Sequence, residues 1–196
     1  MNNKKYAHWI SGGLLVLATT AAQADLLIYT ASLSGAAEAT PNASPGFGSA
    51  TVTIDTVSHT MLVDVMFDAL MGLTTAAHIH CCTAAAATGT AGVATVVPNF
   101  PGFPTTVSAG SYNASFDLTQ VSSWNLAFIN ANGGTTAGAE AALMAGLDDE
   151  MAYLNIHSDL FLAGEIRGFL TREIPEPTAL TLLGLGLGGL LGWRRR

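Results

Sequence analysis

The sequence predicts a mainly β protein, an antiparallel β-sandwich with one short helix, on three observations. Apolar residues alternate at period two through Met61-Leu62-Val63-Asp64-Val65-Met66-Phe67, so Met61, Val63, Val65 and Phe67 share one face while Asp64 lies on the other. Similar runs at 26–33, 49–55, 92–97 and 111–118 are separated by Gly, Pro, Asn and Ser, the residues of turns. A chain of 196 residues that is 49% hydrophobic and only 11% charged suits one folded domain and not a disordered one. Short strands at this spacing suggest an antiparallel sandwich.

The remaining elements follow in order. The stretch Pro98-Asn99-Phe100-Pro101-Gly102-Phe103-Pro104 reads as a loop, because proline cannot donate to an interior ladder. A helix is predicted over 137–147, where Ala139, Leu143 and Leu147 recur every four residues, with Thr135 or Thr136 as its cap. Strands resume at 151–157 and 165–171.

The two ends of the chain read as addresses. Residues 1–24 carry Lys4 and Lys5, an apolar core from Trp9 to Ala18, and Ala22-Gln23-Ala24 before Asp25. That is the pattern of a secretory signal peptide cut by signal peptidase after Ala24, its core being shorter than the roughly 20 residues that span a bilayer. At the other end, Thr178 to Trp193 is almost pure Leu, Gly and Ala and is followed by Arg194, Arg195 and Arg196. As a helix this run would insert transiently in the inner membrane, with its arginines on the cytoplasmic side. Before it stand Pro175, Glu176 and Pro177. The order Pro-Glu-Pro, short apolar helix and terminal arginine cluster resembles the PEP-CTERM sorting signal of Gram-negative bacteria over 174–196. The resemblance implies removal of the tail by an exosortase and release or display outside the cell.

Between the addresses, residues 25–173 hold thirteen acidic side chains against Arg167 and Arg172, a formal charge of −11. Such a surface disfavours nucleic acid and any direct charge pairing with anionic polysaccharide, and favours cations.

Two clusters carry candidate chemistry. In Ala77-His78-Ile79-His80-Cys81-Cys82, an extended backbone puts His78, His80 and Cys82 on one face and Ile79 and Cys81 on the other. Two imidazoles and a thiolate form a ligand set for copper or zinc, whereas a His-x-His pair can equally serve as hydrogen-bonding residues of a sheet. The two cysteines leave three outcomes, a vicinal disulfide in a tight turn, reduced thiols with Cys82 on a metal, or an intermolecular bond, and the vicinal disulfide, which removes the thiolate, is taken ahead of the others. In the second cluster Tyr153, Asn155 and His157 share one strand face, and Glu165 and Arg167 share a face of the next. A hairpin of these strands places Glu165 and Arg167 in a structural ion pair and polar network, a reading taken ahead of catalysis. Asp148 and Asp149 are expected to be solvent-exposed at the helix end.

Taken together, "AHIH", then "YLNIHSDLFLAGEIRG" some 70 residues on, and the opening "LSGAAEATPNASPGFGSATVTID" resemble the chordin-type CHRD domain over Leu33 to Leu170. The family positions map onto His78, His80, Tyr153, Asn155, His157, Glu165 and Arg167. Cys81-Cys82 and the run Ser158 to Ala163 depart from the family pattern. The resemblance implies an immunoglobulin-like or superoxide-dismutase-like sandwich without enzymatic activity. The expected function is therefore an exported, noncatalytic binding or structural module of the cell envelope or extracellular matrix, its partner a matrix protein or polysaccharide. The alternative is a secreted copper- or zinc-binding protein using His78, His80 and His157. Superoxide dismutation is disfavoured, since only His59 remains as a further ligand and it lies in a turn. No nucleophile elbow, His-Glu-x-x-His helix or phosphate loop supports a hydrolase.

Overall fold

The computed structural model describes residues 26–173. The signal peptide expected at 1–24 and the sorting tail at 174–196, with Pro175, Glu176, Pro177 and Arg194 to Arg196, lie outside the described residues. Among the described residues no helix is long and apolar enough to cross a membrane.

The strands are β1 (Leu26–Ser34), β2 (Phe47–Asp55), β3 (Thr60–Asp68), β4 (Thr74–His80), β5 (Gly110–Asp117), β6 (Tyr153–Ser158), β7 (Ile166–Phe169) and β8 (Thr171–Arg172). They join in one antiparallel path, β4-β6-β7-β1-β2-β3-β5, with β8 also on β1, and the sheet curls as a half-barrel. The link between its two halves is short: Ser34 pairs with Arg167, while Tyr29 and Thr30 pair with Arg172 and Thr171.

The period-two pattern that predicted β3 is what buries it. Met61, Val63, Val65 and Phe67 are inside, and Leu62, Asp64, Met66 and Asp68 are exposed. Tyr29 and Leu33 on β1, Val52 and Ile54 on β2, Ile79 on β4, Leu154 and Ile156 on β6 and Ile166 on β7 complete the interior with the helical segment. That segment is two helices, α1 (Leu126–Ala131) and α2 (Thr136–Asp148), where one was expected. α1 is only six residues, too short to register as an apolar period, but Asn125 caps it by accepting from the Ala127 amide. α2 matches the predicted helix closely, and the Thr135 side chain accepts from the Gly138 amide. At its far end Asp148 and Asp149 are exposed, and Asp148 also accepts from the Tyr29 hydroxyl at 2.8 Å and from Arg172 at 3.2 Å.

The strand expected over 92–97 does not form. The segment runs along the edge of β4, with Ala94 N–H donating to the Ile79 carbonyl, and then turns away so that Val96 N–H donates to Ser123. Its hydrogen bonds are divided between two neighbours, leaving only isolated bridges, His80 to Val93 and Thr95 to Trp124. This segment and the proline-rich loop after it lie along the edge of β4, where Phe100 N–H donates to Ala77 and the Pro98 carbonyl meets His78.

Candidate metal centre

The antiparallel registers place His78 opposite Asn155, His80 opposite Tyr153 and Ala76 opposite His157, while Asn155 faces Arg167 on β7. His78 and His80 therefore stand on the same face as His157, with Ile79, Leu154 and Ile156 on the core face behind them. The three rings form a triangle with centroid separations of 5.9, 5.5 and 5.8 Å. One ring nitrogen from each histidine lies within 4.8 Å of the others.

Hydrogen bonding decides which nitrogen of each ring is free to act as a ligand. His78 Nε2–H donates to the Pro98 carbonyl at 2.7 Å, His80 Nδ1–H to Ala91 at 3.0 Å and His157 Nδ1–H to Leu162 at 3.0 Å. A carbonyl oxygen can only accept, so each of these nitrogens carries the proton and the other nitrogen of a neutral ring is a bare lone pair. Those others, His78 Nδ1, His80 Nε2 and His157 Nε2, are buried and have no hydrogen-bond partner. Burial holds all three rings below their ordinary pKa, His80 down to about 4, so all three are neutral at physiological pH. Three buried lone pairs lack donors, and a cation within reach of all three would satisfy them.

The surrounding residues hold this arrangement. His80 stacks on Tyr153 at 4.9 Å with planes 5° apart, and the Arg167 guanidinium sits 4.7 Å over the same tyrosine ring. Phe100, fully buried, lies 6.5 Å from the His78 ring and packs on Tyr112 and Phe116. The Asn155 amide donates to Ala163. Gly164, with φ +131°, leaves the room for this amide that a Cβ would take.

Of the three outcomes open to the cysteines the structure has the vicinal disulfide, so Cys82 brings no thiolate to the histidine face, and β4 ends at His80. Cys81 and Cys82 are joined in a disulfide, packed where Gly146 of α2 leaves space for the sulfurs, and no free thiol remains among the described residues. Glu165 and Arg167 each enter a polar network with partners of their own. Glu165, fully buried, accepts from the Ser44 hydroxyl and the Met71 and Gly72 amides, bracing the turn before β4. Arg167 instead donates to the Ala37 and Gly89 carbonyls and lies 3.9 Å from Glu38. His59 is held by Glu140 at 3.0 Å, away from the cluster. Sequence reading missed the roles of Glu38 and of the Ala91, Pro98 and Leu162 carbonyls. Carbonyls supplied by irregular loops have no side-chain signature.

Comparison with known proteins agrees with this reading of the motifs. The CHRD domain family model matches residues 29–170, and the PEP-CTERM protein-sorting motif matches residues 173–196. No curated protein and no solved structure matches the chain. The sorting motif marks an exosortase substrate that is exported and located at the cell surface or outside the cell after C-terminal processing. With its domain model spanning well over half of the sequence, the chain belongs to the CHRD domain family.

Proposed function

We propose that this exported CHRD domain binds a single copper or zinc ion through His78 Nδ1, His80 Nε2 and His157 Nε2, and that it does so as a noncatalytic surface protein. The observation that carries the reading is the convergence of three buried, unpartnered imidazole nitrogens whose opposite nitrogens are all pinned by backbone carbonyls. Three imidazoles suit copper or zinc, and metal-bound histidines ordinarily donate their second N–H to a carbonyl or carboxylate in this way. Ligand nitrogens about 2.0–2.1 Å from a metal stand roughly 3.5 Å apart, so rings now within 4.8 Å need shift by only about 1 Å or less. The disulfide removes the thiolate from the ligand set and leaves a site of histidines alone. A noncatalytic role is supported by the CHRD family, a non-enzymatic domain family, and by the engagement of Glu165 and Arg167 with backbone groups.

The test is the metal content of the exported, processed protein, purified without a histidine tag, beside a His78→Ala/His80→Ala variant of the same chain. Copper or zinc near one per chain in the parent and absent from the variant is the expected result. A parent that takes up neither ion after incubation with each refutes the site and leaves the histidines as structural residues of a surface binding module.

A further inference from the structure

We infer that the three-histidine site selects monovalent copper over divalent copper and zinc, with Arg167 as the residue that tilts the choice; this rests on the metal-binding reading above. The argument is one of charge. Three neutral imidazoles contribute nothing to offset the ion, so the bound site carries +1 with Cu(I) and +2 with Cu(II) or Zn(II). The cost of burying charge grows with its square, and His78 and His80 are 7% and 8% exposed. Among the described residues no carboxylate hydrogen-bonds to any of the three rings. Glu165, just before β7, has its oxygens committed to Ser44 and to the Met71 and Gly72 amides.

The charge that does act on the site is positive. Arg167 lies 4.7 Å from the Tyr153 ring, which stacks 4.9 Å from His80, so the guanidinium is within about 10 Å of that ligand. Among the described residues its one acidic ion-pair partner is Glu38 at 3.9 Å. That carboxyl is pushed up to about 7 by burial, so it offsets the arginine only in part near neutral pH. A unit charge at this separation, at an effective dielectric constant near 20, changes an equilibrium on the order of tenfold. Since Cu(II) and Cu(I) differ by one charge, Arg167 alone favours the lower state by roughly that factor, in addition to the burial effect. Imidazole is a suitable donor for copper, and three donors complete a coordination shell without recruiting a hydroxide.

The experiment measures the affinity of the processed protein for Cu(I), competed anaerobically against bicinchoninate, and for Cu(II) and Zn(II), competed against chelators of those ions. The same chain with Glu38→Gln, and separately with His157→Asp, is compared. Cu(I) affinity exceeding both others by tenfold or more is expected. Glu38→Gln, which removes the partial offset to Arg167, raises the reduction potential of the bound copper. His157→Asp, which places a negative ligand at the rim of the site, moves the preference toward the divalent ions. Equal or tighter binding of Zn(II) or Cu(II) by the parent overturns the selectivity while leaving the metal site intact. Failure to bind any of the three ions overturns the metal site itself. Should Glu38→Gln not fold, the parent affinities and His157→Asp still decide the question.

Discussion

Replacing Glu38 with Gln in the metal-free protein should make stability respond to pH in a new way. The Glu38 carboxyl is raised from 4.5 to about 7, mainly by burial, with Arg167 pulling in the opposite direction. A raised carboxyl contributes stability that is complete below its unfolded value near 4.5 and is lost as pH rises through about 7. At 1.36 kcal/mol per unit the full difference is about 3 kcal/mol, of which about 2 kcal/mol develops between pH 5 and pH 8. His80 works against it. Its pKa is lowered to about 4 by burial, so its contribution is present above about 6.5 and falls by about 2 kcal/mol between pH 7 and pH 5. His78 and His157 are lowered as well and steepen that fall. In the parent protein the two slopes oppose each other; Gln at position 38 removes one and leaves the histidine slope exposed. Urea unfolding in the presence of a chelator, followed by the buried Trp124, measures this directly. The variant should gain on the parent by about 2 kcal/mol between pH 5 and pH 8. A gap that stays constant across that range refutes the account of Glu38 as a buried, incompletely ionised partner of Arg167, and removes the reason for treating the arginine charge as partly uncompensated.

Other expectations concern the supports of the site. Phe100→Ala empties a fully buried position between His78, Tyr112 and Phe116, and should cost about 3–5 kcal/mol in urea unfolding together with weaker metal uptake; unchanged stability would mean that the proline-rich loop does not cap the histidine face. Glu165→Gln puts an amide where a carboxylate receives the Ser44 hydroxyl and two backbone N–H groups, and should cost about 2–3 kcal/mol while leaving the metal stoichiometry of the folded protein at one. Loss of metal from a folded Glu165→Gln protein would assign that residue to the site itself.

Much of this protein was legible in its residues, for reasons of local geometry. Strand faces were readable because side chains alternate, so Met61, Val63, Val65 and Phe67 declared the interior before any partner strand was known. The same alternation placed His78 with His80, and Tyr153 with Asn155 and His157, and the family motifs linked the two sets. The helix over 136–148 showed itself through its four-residue apolar period and Thr135 cap. The segment at 92–97 has a strand's composition but no continuous partner, and a ladder depends on the neighbour as much as on the strand.

What tertiary structure alone decided is pairing across distance. Only folding brings His157 beside residues some 77 positions earlier, and only the Ala91, Pro98 and Leu162 carbonyls settle which nitrogen of each ring keeps its proton. Only folding gives Arg167 to Glu38 and Glu165 to the Met71–Gly72 turn, partners that the motif itself does not name. The sequence by itself determined the sorting motif at 173–196, the faces of strands such as β3 and the histidines available. Local spacing sets direction along a strand, whereas ionic partners, tautomers and burial depend on groups contributed by remote loops, and those are specified by packing of the whole chain.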